Sequence, residues 1–111
     1  MSIQMLAGLM AVVFTLLLVF EATTYWHARN VFDEAAAEGA RVAAAYESSC
    51  PAGVAAARDM VRRHAGRWAS GVAITCSYGD MVIVAVSGRT PGLGAVVGIR
   101  ARAVVAVPKE R

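Results

Sequence analysis

No charged residue occurs between Met1 and Phe20, and no proline between Ile3 and Cys50. The first absence excludes a solvated N-terminal segment: Ile3 to Phe20 is interrupted only by Gln4, Gly8 and Thr15. The second permits one unbroken helix, because proline would remove a backbone donor and clash with the preceding turn. The chain has only 2 Cys and 2 His. A structural zinc site needs four ligands, and His27, which belongs near a membrane surface, lies far from the others. No phosphate-binding loop, Ser-His-Asp pattern or paired carboxylates occur either. Glu21 with His27 has no nucleophile or pocket-forming loop beside it. The expectation is a chain that is not an enzyme and holds no cofactor or metal.

What is present starts with hydrophobicity, 58% of the 111 residues, concentrated at the front. As a helix, Ile3 to Trp26 would span about 36 Å, enough to cross a hydrocarbon core of about 30 Å. Tyr25 and Trp26 then fall where interfacial aromatic anchors sit. A cleavable signal peptide would need a basic n-region and a small-x-small cleavage site, and neither is seen. A buried core helix would need more surrounding chain than follows. Residues 1–28 are therefore expected to form a transmembrane helix, with Gln4 and Glu21 as its polar positions. Residues 29–111 form a small extracytoplasmic domain, the first helix continuing to about residue 49. All 11 Lys and Arg lie from Arg29 onward, and the positive-inside rule counted on them alone favours the cytoplasm. Glu21, Asp33, Glu34 and Glu38 and the cysteine pair argue for the outward orientation, and a basic leader removed by processing would reverse the count.

Beyond the membrane the three-four spacing persists in Phe32, Ala35, Ala36, Gly39, Val42, Ala43 and Tyr46, a buried stripe with Asp33, Glu34, Arg41 and Glu47 towards water. Ala35, Gly39 and Ala43, four apart, allow close approach by another helix or a sheet, although alanine also simply favours helix. A second helix starts at Ser49-Cys50-Pro51, with Val54, Ala57, Met60, Val61, His64 and Trp68 as its apolar stripe, and ends near Ser70–Gly71. His64 on that stripe reads as a core or boundary residue. The arginines from Arg58 to Arg67 could contact anionic lipid or nucleic acid but read more simply as a solvated face interrupted by Asp59, and nucleic acid is not an expected partner.

The period then changes to two. Val72, Ile74 and Cys76 share one face of a first strand, and Gly79–Asp80 has the form of a two-residue hairpin turn. Met81 to Ser87 returns. Gly88 to Gly98 is a glycine-rich loop with an apolar tip in which Leu93, Val96 and Val97 form a possible contact surface for lipid or a partner. Ile99 to Val107 is a third strand with Ala101, Ala103, Val105 and Val107 inward and Arg100 and Arg102 outward. A long helix, a short helix and a three-stranded antiparallel sheet make an α+β fold. Cys50 and Cys76 sit at two element ends and are expected to be joined, closing a loop of about 27 residues whose constraint stabilises by about 3–4 kcal/mol; the alternative is two buried free thiols in a reducing compartment.

The apolar lead helix, Tyr25-Trp26-His27-Ala28-Arg29, Ala35-Ala36-Ala37-Glu38-Gly39-Ala40-Arg41 and Arg100-Ala101-Arg102-Ala103 together resemble the TadE-like family of tight-adherence (Flp-type) pilus systems, of the actinobacterial kind. The stretch from Trp26 to Arg41 carries most of the resemblance. It implies a minor pilin or pseudopilin, processed by a prepilin peptidase, whose partners are other pilin-like subunits, a membrane assembly platform and the lipid bilayer. In that family a glutamate usually stands near the mature N-terminus in a segment like Ser-Ile-Glu; here Ser2-Ile3-Gln4 occupies the place, keeping hydrogen-bonding capacity without the charge. No basic leader ending in glycine precedes Met1, so the resemblance implies either a trimmed sequence or a member without one. The alternative is a membrane-anchored extracytoplasmic binding module that does not enter a filament.

Overall fold

The computed structural model describes residues 2–45, 47–66, 71–90 and 99–110. Helix α1 runs from Ile3 to Ala44, 42 residues, and dominates a molecule 71 Å long and 22 × 19 Å across. Ser2 caps it, its hydroxyl accepting from the Met5 amide at 3.2 Å. Every residue from Ser2 to Phe20 is exposed, and burial against the rest of the chain sets in at Ala28. Helix α2 (Cys50–Ala65) follows, with Pro51 in its first turn, where its missing amide would have been unbonded anyway. Strands β1 (Ala73–Ser77), β2 (Met81–Arg89) and β3 (Arg100–Pro108) form an antiparallel sheet in the order β1-β2-β3. The fold is α+β, with both helices on one face of the sheet. Tyr46, Trp68 and the loop residues Leu93, Val96 and Val97 lie outside the described residues.

The core lies between α1 and the sheet. Val82, Val84 and Val86 of β2 are fully buried, as are Phe32, Ala35, Ala36, Ala40 and Ala43 of α1. Ala101 and Ala103 of β3 join them, with Val105 and Val107 packed at the margin, while Arg100 and Arg102 face out. Phe32 is among the largest of the fully buried side chains and fits over Gly88, where an added Cβ would come 2.8 Å from the ring. Burying such side chains stabilises by about 1.5–3 kcal/mol each.

Four sequence expectations are corrected. Helix α2 ends at Ala65, capped by Gly66 at φ 60°, rather than near Ser70–Gly71. Helix α1 ends at Ala44 rather than near residue 49: Ala45 is already extended, and Glu47 takes a left-handed φ of 62°. The hairpin is not built on a two-residue Gly79–Asp80 turn. That turn would pair Tyr78 with Met81, whereas Ser77 pairs with Ile83 and Cys76 with Val84, centring the reversal on Asp80. A one-residue slip exchanges the two faces of a strand, and this register sets Val84 and Val86 beside the half-buried Cys76 and Ile74 on the inner face. The register buries Val82, Val84 and Val86 and leaves Met81 and Ile83 exposed, against the local turn signal. Finally, His64 is exposed, because α2 buries Gly53, Ala57, Val61 and Ala65 instead.

Candidate functional site

Two regions carry the features from which a function can be argued: the bare N-terminal half of α1, and the junction at which its other half is locked into the small domain. Along the bare half, large apolar side chains stand in the open, Phe14 and Leu16 at 63% exposure each. Water would not tolerate such a rod on its own, but lipid or the helices of other chains would. Among the described residues this is the one helix long and apolar enough to cross a membrane. Thr15 and Thr23 hide their hydroxyls by donating to the carbonyls one turn back, Ala11 and Val19, both at 2.8 Å, which removes a polar cost in an apolar medium. Gln4 is exposed in the first turn, and Glu21 is half-buried near the other end of the segment. Trp26 is 65% exposed and Tyr25 sits beside it, in the position of an interfacial belt. Glu21 and His27 are about 9 Å apart along the helix axis.

In the packed half, Ala35, Gly39 and Ala43 are all buried. They face α2 and the sheet of their own chain. A Cβ on Gly39 would stand 2.9 Å from the Gly53 carbonyl oxygen, 3.0 Å from the Ala57 methyl and 3.4 Å from Val84. A Cβ on Gly53 would stand 2.5 Å from the Gly39 carbonyl oxygen and 2.6 Å from the Ala43 methyl. The small-residue stripe is thus spent on closing this domain. Gly53 was not singled out in the sequence, although its four-residue spacing from Ala57, Val61 and Ala65 is the matching stripe.

Cys50 and Cys76 are joined, with Cα atoms 5.7 Å apart. The bond ties the first turn of α2 to β1, the edge strand. A second tie closes the end of α1, where four carbonyls lack helical partners. The Lys109 ammonium donates to the carbonyls of Ala43 (3.1 Å), Ala45 (2.8 Å) and Ser48 (3.3 Å). The single Tyr78 hydroxyl proton is shared between the carbonyls of Ser48 (3.0 Å) and Ala43 (3.3 Å), and the Glu110 amide donates to Ala44 at 2.9 Å. The Lys109 ammonium also lies 5.4 Å from the Tyr78 ring centre. A cation at a helix C-terminus is favoured by the helix dipole, and here it comes from beyond the last strand. Tyr78 and Lys109 were not singled out in the sequence, since nothing near residue 44 announces them.

Among the described residues, two ion pairs join neighbours on their own helices. Arg41 hydrogen-bonds Glu38 at 2.6 Å and holds its carboxyl below the usual carboxylate range, with burial pulling the other way. Arg63 pairs with Asp59 at 3.0 Å. Among the described residues, no three of His, Cys, Asp and Glu come together as metal ligands would.

No curated protein and no solved structure matches the chain. A family model does: residues 3–41 match that of the TadE-like proteins. The matched segment takes in the whole bare half of α1, the aromatic pair and the first two members of the Ala35, Gly39, Ala43 stripe. The single apolar N-terminal helix within it fits a single-pass membrane anchor. The match spans about a third of the chain, and over Ile3 to Arg41 the chain is similar to the TadE-like proteins.

Proposed function

We propose that the chain is a minor pilin-like subunit, or pseudopilin, that assists assembly of a tight-adherence pilus or a related secretion apparatus, with residues 29–111 outside the cytoplasm. The observation that carries this reading is the division of one continuous helix into an exposed apolar half and a half locked into a small domain. An apolar helix rigidly attached to a domain can lie in lipid and then bury the same surface among the helices of other subunits without refolding. The disulfide supports the extracytoplasmic side, because such bonds persist in oxidising compartments. Gln4 supports a minor role: with no carboxylate in the first turn, the chain cannot offer a charge partner to a neighbour's terminal amine. Deleting the gene in its host and counting pili tests the proposal. Loss or strong reduction of pili, restored by the wild-type gene, is the expected result. Normal piliation would favour the membrane-anchored binding module instead.

A further inference from the structure

We infer that the membrane-facing end of the small domain is a binding surface for anionic lipid headgroups, formed by arginines that are distant in sequence and gathered by the fold. Helix α1 fixes which end faces the bilayer. Trp26 is at the interfacial position, and Phe32 lies only about 9 Å further along the axis. Gly88 packs on the Phe32 ring and Val72 lies against Gly88, so the Arg89 end of the sheet is the end nearest the membrane. The opposite end is marked by Lys109 and Glu110 against Ala43 and Ala44.

At this near end Arg89 is paired across the strands with Arg100, and Arg102 stands two residues along on the same outer face. All three are exposed. Like charges placed directly opposite across a sheet are destabilising, and among the described residues no ion pair offsets these. Arg100 leans across to donate to the Gly71 carbonyl at 2.8 Å. Helix α2 runs back towards the same end, because Gly53 meets Gly39 and Ala43 while its later turns follow. Between α2 and the start of β1 lies a cleft of about 210 Å³ lined by Arg58, Val61, Arg62, Gly66 and Val72. Arginine forks match phosphate oxygens, and long arginine side chains reach a headgroup plane while their stems stay on the protein. Asp33 and Glu34 share this level of α1 but lie on its exposed side, away from the sheet. A basic surface held rigidly beside a membrane helix has phosphate groups as its nearest neighbours.

The inference rests on the helix being in a bilayer and not on the pilus reading. The test uses the full chain in nanodiscs of phosphatidylcholine doped with dansyl-labelled phosphatidylglycerol or dansyl-labelled phosphatidylcholine, with energy transfer from tryptophan as the readout. Failure to enter the nanodisc at all would refute the anchor; entry without lipid preference would refute only the present inference. Each basic side chain near an anionic surface strengthens attraction by about fivefold. Wild type should therefore show clearly greater transfer to the labelled phosphatidylglycerol, and the R89Q/R100Q/R102Q variant should lose most of that preference. The preference should also disappear in about 1 M NaCl, where the Debye length is about 3 Å. Glu34→Gln is the control that should leave the preference intact. Equal transfer to both lipids by wild type, a preference that survives salt, or a folded triple variant that retains it would overturn the inference. If the variant does not fold, the salt series on wild type decides.

Discussion

Gly53 of α2 lies so close to Gly39 of α1 that a methyl group on either would meet the other's carbonyl oxygen, at 2.5 Å from Gly53 and 2.9 Å from Gly39. Two glycines in helix interiors each lower helix propensity by about 1 kcal/mol relative to alanine. The close approach they allow brings Ala57 and Val61 onto the same core as Val84.

Gly39→Leu should therefore destabilise the domain by about 1–3 kcal/mol or more through overpacking, whereas Glu34→Leu on the exposed face should change it little. Gly53→Ala should cost more than Gly39→Ala, since its new methyl would meet backbone and the Ala43 methyl at shorter range. Thermal unfolding in detergent, followed by circular dichroism, ranks the four variants. Equal stability of Gly39→Leu and Glu34→Leu would show that the glycine contact does not hold the helices together.

The Cys50–Cys76 bond closes a loop with a sequence separation of 26. Its removal by Cys50→Ala/Cys76→Ala should cost about 3–4 kcal/mol in the chain-entropy model. Digestion of freshly isolated protein without reduction should yield the linked peptides. Two freely alkylated thiols would contradict the bond and remove its support for the extracytoplasmic orientation.

Lys109→Met should remove the ammonium from the carbonyls of Ala43, Ala45 and Ser48 and destabilise by about 1–3 kcal/mol, because partly buried acceptors lose a charged donor. Tyr78→Phe should cost less, about 0.5–1.5 kcal/mol. Amide hydrogen exchange should show the last turn of α1 opening first in Lys109→Met. Unchanged protection there would mean that the lysine is not the effective cap.

Much of this architecture was legible in the sequence because it depends on local pattern. An uncharged run, a three-four stripe and alternating strands identify the helix, its inward face from Phe32 to Ala43, and the inward residues Ala101 and Ala103. What was not legible depends on distant partners. The end of α1 is set by Tyr78 and Lys109, the register of the hairpin by the valines opposite Cys76 and Ile74, and the place of Gly39 by Gly53. His64 fell on a stripe drawn from Val54, while the buried stripe begins one residue earlier, at Gly53. The arginines looked like separate solvated positions until the sheet and α2 brought them to one end.

Gln4 is exposed in the first turn of α1, after the Ser2 cap. A carboxylate is costly within a membrane helix unless a partner charge compensates it, and with helix packing rather than a charge pair setting the register, Gln4→Glu should leave incorporation into complexes nearly unchanged. Comparing recovery of the two proteins in membrane and sheared-filament fractions checks this. A large rise in filament-associated protein for the variant would show that the absent charge limits assembly.

The most direct test of the central claim is absolute quantification of the wild-type chain, by mass spectrometry with labelled peptides, in the membrane and sheared-filament fractions of its native host. A minor pilin-like subunit should be found mainly in the membrane with other pilus-assembly proteins, and at far below one copy per major subunit in the filaments. Recovery as the dominant filament protein would contradict the minor role, and recovery apart from every pilus component would contradict the pilin-like reading itself.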